Sequence, residues 1–262
     1  REGEAMKLFG SRQMGRALAL TLPAMLLQPV VSQLQHEAGL AVWSSASAQD
    51  EKKKPDTRET RRTPALRNKV YEQLAEAQAL AEAKDLGGAA KILDGMISAG
   101  GKRELNSYEL ANVYNLYAFI HYSREDYGKA LRAYEQVVAQ PDIPLAMEIN
   151  TRFTIAQLYF VQDDWDRGID ALLKWFDMTE TPNANAYVLL AQGYYQTKDY
   201  NKALTNVEKA ISMYKEKVNL PKEQWYNLAS FLYFEKGDVK SKVNVLEELL
   251  TLYPKKHYWV QL

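Results

Sequence analysis

The chain contains no cysteine. That excludes a disulfide framework, and it excludes lipid attachment through an N-terminal cysteine. Histidine is scarce. His36, His121 and His257 lie far apart with no cysteine near any of them, so no metal-ligand spacing exists. A basic excess is missing too, since Lys and Arg number 33 and Asp and Glu number 33. Without a positive field, nucleic acid is not an expected partner. Gly-x-Ser-x-Gly, the Walker phosphate loop and Gly-x-Gly-x-x-Gly are all absent. These absences predict a non-enzyme with no cofactor and no metal.

Long apolar runs are also lacking. The stretch from Ala17 to Val31 is interrupted by Pro23, Gln28 and Pro29. It is shorter than the roughly 20 residues that span a bilayer. It follows Met6, Lys7, Arg12 and Arg16 and precedes Ala46-Ser47-Ala48. A basic start, a short apolar stretch and an A-x-A site in that order read as a secretory signal over residues 1–48, with Met6 as the true start. The alternative is an uncleaved inner-membrane anchor. Residues 49–65 form a polar linker of mixed charge, with Pro55 and Pro64, too polar to bury a core. Its Lys52-Lys53-Lys54 and Arg61-Arg62 would bring it near the inner membrane or peptidoglycan, against the plainer reading of a solvated tether. The predicted address is the periplasm.

What the chain does have is repetition. Glu125-Asp126-Tyr127-Gly128-Lys129-Ala130-Leu131 returns as Lys198-Asp199-Tyr200-Asn201-Lys202-Ala203-Leu204. Small residues recur at Ala89, Ala130, Gly168 and Ala203, continuing to Val243. Each of the first four has another small residue before it, at Ala77, Ala118, Ala156 and Ala191. Small residues at both places let two helices of one repeat approach closely. A period in the range of 20–50 residues marks helix pairs that stack to share a core.

These residues resemble the tetratricopeptide repeat. One repeat shows Tyr114, Tyr117, Ala118, Tyr127, Ala130 and Tyr134, and another shows Tyr187, Leu190, Ala191, Tyr194, Tyr200, Ala203 and Ala210. A third keeps Ala156, Tyr159 and Trp165, with Gly168 where Ala is usual. Gly there costs the helix about 1 kcal/mol. The fifth reads Trp225, Leu228, Ala229, Gly237-Asp238 and Pro254, with one extra residue before its turn. The first, with Gly87-Gly88, matches least well. The resemblance implies an all-α, right-handed solenoid of stacked antiparallel helix pairs over residues 66–262. Five repeats and the start of a sixth are expected. Trp259-Val260-Gln261-Leu262 has the spacing that opens a repeat, so residues 66–262 are expected to be truncated at the C-terminus.

A narrower resemblance covers most of residues 56–262. The segments 61–74, 106–112 and 245–254 are similar to periplasmic repeat proteins that accompany TonB–ExbB–ExbD systems in proteobacteria. That resemblance implies a helper role in energised outer-membrane uptake. The expected partner is a protein or extended peptide, with TonB, ExbB and ExbD components as candidates. Two alternatives stand beside it. One is an adaptor in envelope assembly or cell-wall synthesis. The other is the recruiting arm of an enzyme whose catalytic domain lies beyond Leu262.

The family lines its concave groove with first-helix residues. Carried onto this chain, these are Asn112, Asn115, Phe119, Tyr122, Phe153, Gln157, Phe160, Gln192, Tyr195, Tyr226 and Asn227. Asn and Gln offer donors and acceptors to a peptide main chain, and aromatics anchor interfaces. For Phe119 and Phe160 core packing is the competing expectation. The acidic cluster Asp163-Asp164-Trp165-Asp166 fails the calcium-loop pattern, because Gly168 falls fifth from Asp164. It reads as a turn whose acids favour the next helix's N-terminus.

Overall fold

A computed structural model describes residues 65–217 and 219–262. The signal and nearly all of the linker inferred above lie outside these residues. The described residues contain helices and turns and no β-strand. They divide at residues 180/181 into two compact units.

The unit 65–180 holds α1 (Asn68–Glu82), α2 (Leu86–Ile97), α3 (Ser107–Ser123), α4 (Tyr127–Ala139), α5 (Leu145–Val161) and α6 (Trp165–Met178). Successive helices pair as α1–α2, α3–α4 and α5–α6, and the pairs stack through α2–α3, α1–α3 and α4–α5. The unit 181–262 holds α7 (Ala184–Gln196), α8 (Tyr200–Glu216), α9 (Glu223–Glu235), α10 (Val239–Leu252) and the short α11 (Lys256–Trp259). Here α7–α8 and α9–α10 pair, and α8 packs on α9.

One turn joins the two helices of every pair. The residues before it are Lys84, Glu125, Asp163, Lys198 and Gly237, with φ of 66°, 59°, 57°, 64° and 72°. Each is followed by an Asp. That Asp's N–H reaches back to close the first helix, as in Asp126 to the His121 carbonyl at 2.9 Å and Asp199 to the Tyr194 carbonyl at 2.8 Å. The positive-φ residue donates to the carbonyl three back, Glu125 to Tyr122 at 2.9 Å and Lys198 to Tyr195 at 3.0 Å. This is the Schellman ending. The same Asp then caps the next helix, accepting from Gly88, Lys129, Arg167, Lys202 and Ser241 main-chain N–H groups in turn. Such a cap is worth about 1 kcal/mol. One residue thus ends one helix and starts the next.

Three of these caps also pair with a cation one turn on: Asp126 with Lys129 (2.7 Å), Asp199 with Lys202 (2.9 Å), and Asp164 with Arg167. Hydrogen bonds from those partners hold the carboxyls of Asp126, Asp164 and Asp199 below the usual range, and the Ser241 N–H does the same for Asp238. The cluster at residues 163–166 is therefore a turn running into α6, with Asp164 as the cap and Asp166 in the helix's first turn.

The small residues sit where the helices touch. Ala77, Ala89, Ala118, Ala130, Ala156, Ala191 and Ala203 are fully buried. Around them lie Leu74, Leu93, Met96, Val113 and Ile120 in one unit, and Val207, Leu228, Leu232, Leu246 and Leu249 in the other. Gly168 has a specific reason to be glycine. A Cβ there would lie 2.9 Å from Cε1 of Phe160, a fully buried ring.

The capping Asp residues give the register directly, and they correct the expectation for the fifth repeat. Helices α7 and α9 both have 13 residues, and each ends at the same distance from its capping Asp. No extra residue exists. Ser230, which is buried, takes the place of Ala191, and Lys242 takes the place of Ala203. Val243 and Ala229 are each one residue off those positions.

Candidate functional site

The first helices α1, α3 and α5 in one unit, and α7 and α9 in the other, present the side chains expected to meet a partner. The eleven expected residues divide by burial. Asn112, Tyr122, Gln157, Phe160, Gln192 and Tyr226 are buried. Asn115, Phe119, Phe153, Tyr195 and Asn227 are half-buried.

The buried six have local causes. Asn112 donates its Nδ2 to the Tyr108 carbonyl at 2.7 Å, one turn back on its own helix. Tyr122 packs against Tyr127 across the turn at 5.5 Å, and burial pushes its hydroxyl up to about 12. Phe160 meets Trp165 at 5.9 Å and lies over Gly168. Gln157 and Gln192, at corresponding places on α5 and α7, are only 3% and 7% exposed. Tyr226 was expected outward because of the one-residue register difference. It occupies the inward place of Tyr114 and Tyr187, and it donates to Glu248 at 2.7 Å on α10.

The half-buried five are in different states. Asn115 has no side-chain hydrogen bond among the described residues and sits beside Phe119 on α3. Phe119 leans on the α1–α3 core. Phe153 packs on Trp175 at 4.6 Å. Tyr195 lies edge-on to Phe231 at 5.5 Å and stacks with Tyr200 at 6.2 Å. Asn227 is engaged. It donates to the Tyr258 hydroxyl at 3.0 Å, and Tyr258 in turn donates to Glu223 at 2.5 Å. Burial, with the Glu223 carboxylate beside it, lifts Tyr258 to about 12. Lys255 closes this set by an ion pair to Glu223 at 2.7 Å.

Residues 184–217 match the tetratricopeptide repeat family. Solved structures share the fold over more of the chain. MamA from Desulfovibrio magneticus RS-1 is 14% identical, with a TM-score of 0.56, and the match covers 73% of this chain and 99% of MamA. YrrB, a tetratricopeptide protein with an unusual peptide-binding site, is 13% identical with a TM-score of 0.57, covering 74% of this chain and 92% of YrrB. The apo form of RapI is 10% identical with a TM-score of 0.55, covering 72% of each chain. At such identities the likeness speaks to fold alone, and the fold is tetratricopeptide-like. No curated protein matches the chain.

Two further residues hold groove places relative to the capping Asp, although they lie off the alanine spacing. Phe231 and Phe234 on α9 stand seven and four residues before Asp238, the places that Phe119 and Tyr122 hold before Asp126. Phe231 is half-buried and Phe234 is 56% exposed. At these groove places the unit 181–262 therefore offers Tyr195, Phe231 and Phe234. The unit 65–180 offers Asn115, Phe119 and Phe153. Among the described residues, no three of His, Asp and Glu gather to hold a metal ion, and no helix is long and apolar enough to cross a membrane.

Proposed function

We propose that this chain is a non-catalytic scaffold that holds a protein or extended peptide against the first helices of its repeats. The observation that carries this reading is the set of half-buried amide and aromatic side chains, Asn115 with Phe119 in one unit and Tyr195 with Phe231 in the other. Rings already packed edge to face lose little rotamer freedom when a ligand arrives, so the ordering cost of binding is small. Asn115 keeps both its donor and its acceptor for a ligand main chain.

The setting of this scaffold is the periplasm, beside a TonB-type energy-transducing system that drives outer-membrane uptake. The secretory pattern of residues 6–48, the absence of cysteine and the resemblance of residues 56–262 support that assignment. The test is in-cell crosslinking under iron limitation, followed by purification and mass spectrometry. TonB, ExbB or ExbD homologues are the expected captures, reduced in an Asn115→Ala, Phe231→Ala variant whose melting temperature is preserved. Recovery of cell-wall or envelope-assembly proteins instead would overturn the energy-coupling assignment while leaving the scaffold intact. Capture that is unchanged in the variant would overturn the role of these side chains.

A further inference from the structure

The turns that join the helix pairs form an edge of their own, and one stretch of it is hollow. Between the turn of α7–α8 and the turn of α9–α10 lies an open cleft of about 510 Å³, lined by Thr197, Lys198, Asp199, Tyr200, Asn201 and Lys236. Its walls come from two consecutive pairs, so the cleft owes nothing to a chain end. Two of these six side chains are committed. The Thr197 hydroxyl donates to the Gly193 carbonyl at 3.2 Å. The Asp199 carboxylate caps α8 and is held by the Lys202 ammonium at 2.9 Å.

The other four side chains make no hydrogen bond or ion pair among the described residues. Lys198, Asn201 and Lys236 are exposed, and Tyr200 is half-buried. Burial and the Glu235 carboxylate push the Tyr200 hydroxyl up, so it remains a proton donor at neutral pH. Four donors thus line one space, and two of them are charged. With Asp199 neutralised by Lys202, the two ammonium groups outweigh the single carboxylate of Glu235. The equivalent places in the unit 65–180 differ. Between the turns of α1–α2 and α3–α4 the charges recur as Lys84 and Arg124, but Leu86 and Gly87 stand where Tyr200 and Asn201 do. Between the turns of α3–α4 and α5–α6 the charged places hold Glu125 and Gln162.

We infer that this cleft receives an acidic segment of the partner protein, its carboxylates paired with Lys198 and Lys236 and hydrogen-bonded by Tyr200 and Asn201. This rests on the scaffold role proposed above, because the cleft adjoins the same aromatic set. Tyr200 stacks with Tyr195 at 6.2 Å, and Tyr195 meets Phe231 at 5.5 Å. A partner seated on those rings lies one ring away from the two ammonium groups. Opposite charges at a rim speed encounter and set orientation, which is what exposed lysines can supply. Donors spread over two turns suit carboxylates spaced along a chain. A single phosphate is better held by converging N–H groups or an Arg fork.

The test uses the full 262-residue chain and a fluorescein-labelled hexaglutamate peptide, read by fluorescence anisotropy. Saturable binding is expected, weakening as salt rises, because exposed charges are screened beyond about 10 Å at 0.1 M. Lys198→Gln combined with Lys236→Gln should weaken it about tenfold, the loss of two exposed ion pairs. Tyr200→Phe should weaken it about fivefold, the loss of one hydrogen bond. Both lysines are exposed, so thermal melts of their double variant should not move. Lys84→Gln combined with Arg124→Gln removes the same charge from the equivalent turns and should bind normally. Equal weakening by that control would overturn the site in favour of net charge. Absence of saturable binding at about millimolar peptide would overturn it outright. Displacement by inorganic phosphate well below the glutamate concentration that does the same would assign the cleft to phosphate instead. The Asn115→Ala, Phe231→Ala variant should still bind this probe, so failure of the groove and failure of the cleft are separate results.

Discussion

Glu109 is fully buried at the first turn of α3, and the Arg67 guanidinium binds its carboxylate from just before α1, with Nη2 to Oε2 at 2.6 Å and Nε to Oε1 at 2.9 Å. The Arg67 and Asn106 main-chain N–H groups donate to the same carboxylate at 3.1 and 3.0 Å, and Asn106 completes a capping box with it. A buried carboxylate is tolerated only when its oxygens are satisfied in this way. The pair joins the beginnings of two first helices that are 42 residues apart in sequence.

Burial alone would raise the Glu109 carboxyl, yet the hydrogen bonds from Arg67 and Asn106 outweigh it and hold the group below its ordinary value of 4.5. A depressed folded pKa contributes stability above the unfolded value, and that contribution fades as pH falls through the folded one. Glu109→Gln should therefore destabilise the chain at neutral pH by about 2 kcal/mol, since it leaves buried donors poorly matched. Its stability should also decline less steeply than wild type below about pH 4.5. Urea melts of both proteins at a series of pH values check this. Parallel pH profiles would remove Glu109 from the account of acid sensitivity.

Gly168→Ala is a substitution that raises helix propensity by about 1 kcal/mol. Here it should destabilise all the same, because the new methyl meets the buried Phe160 ring at 2.9 Å. Overpacking of this kind costs about 1–3 kcal/mol, so a net loss of roughly 1 kcal/mol is expected. Combining it with Phe160→Leu should relieve part of the loss. A stabilised single variant in a denaturant melt would contradict the contact.

Lys198 is held at φ 64°, a left-handed conformation that costs L-residues with a Cβ. Lys198→Gly should raise stability by about 0.5–1 kcal/mol, the strain released minus the extra entropy of the unfolded chain. Gly237→Ala, at φ 72° in the matching turn, should lower it by about 1 kcal/mol. Opposite signs at equivalent turns, measured by thermal melts, would establish that backbone conformation governs both sites.

Tyr159→Phe removes the hydroxyl that reaches Glu135 across the α4–α5 boundary. The loss should be about 1 kcal/mol, a typical net hydrogen bond. It should appear as faster amide exchange in α5 and α6, with α1 and α2 little changed, because in stacked repeats each pair answers mainly to its neighbours. Uniform acceleration throughout the unit would mean that its three pairs open together.

Much of the architecture was legible from particular residues. Ala77, Ala118, Ala156 and Ala191, with Ala89, Ala130, Gly168 and Ala203, mark eight of the helices as four pairs once the turn Asp residues are seen between them, and Gly237-Asp238 marks the turn of a fifth. These signals are local. An alanine permits close approach, and an Asp caps whatever helix follows it, so neither depends on distant parts of the chain. The register of the fifth pair is ambiguous by one residue in the sequence, because Ala229 and Ser230 are both small and adjacent, and composition alone does not say which of them faces α10. The spacing to Asp238 does, and it turns Tyr226 inward and Phe231 outward.

Exposure of the candidate binding side chains belongs to tertiary structure. Asn112, Gln157 and Gln192 have the polarity of groove residues, yet they are covered, while Asn115 on the same helix as Asn112 stays open. Burial is set by whatever the adjacent helix places against a residue, and that partner lies some 35 to 40 positions away in a repeat array. The sequence alone therefore determined the helix pairs, their turns and their core alanines, through short-range sterics and capping. Only the packed structure decided that Asn227 is committed to Tyr258 and that Gly168 exists to admit Phe160, because each of those depends on contact between segments the chain brings together only on folding.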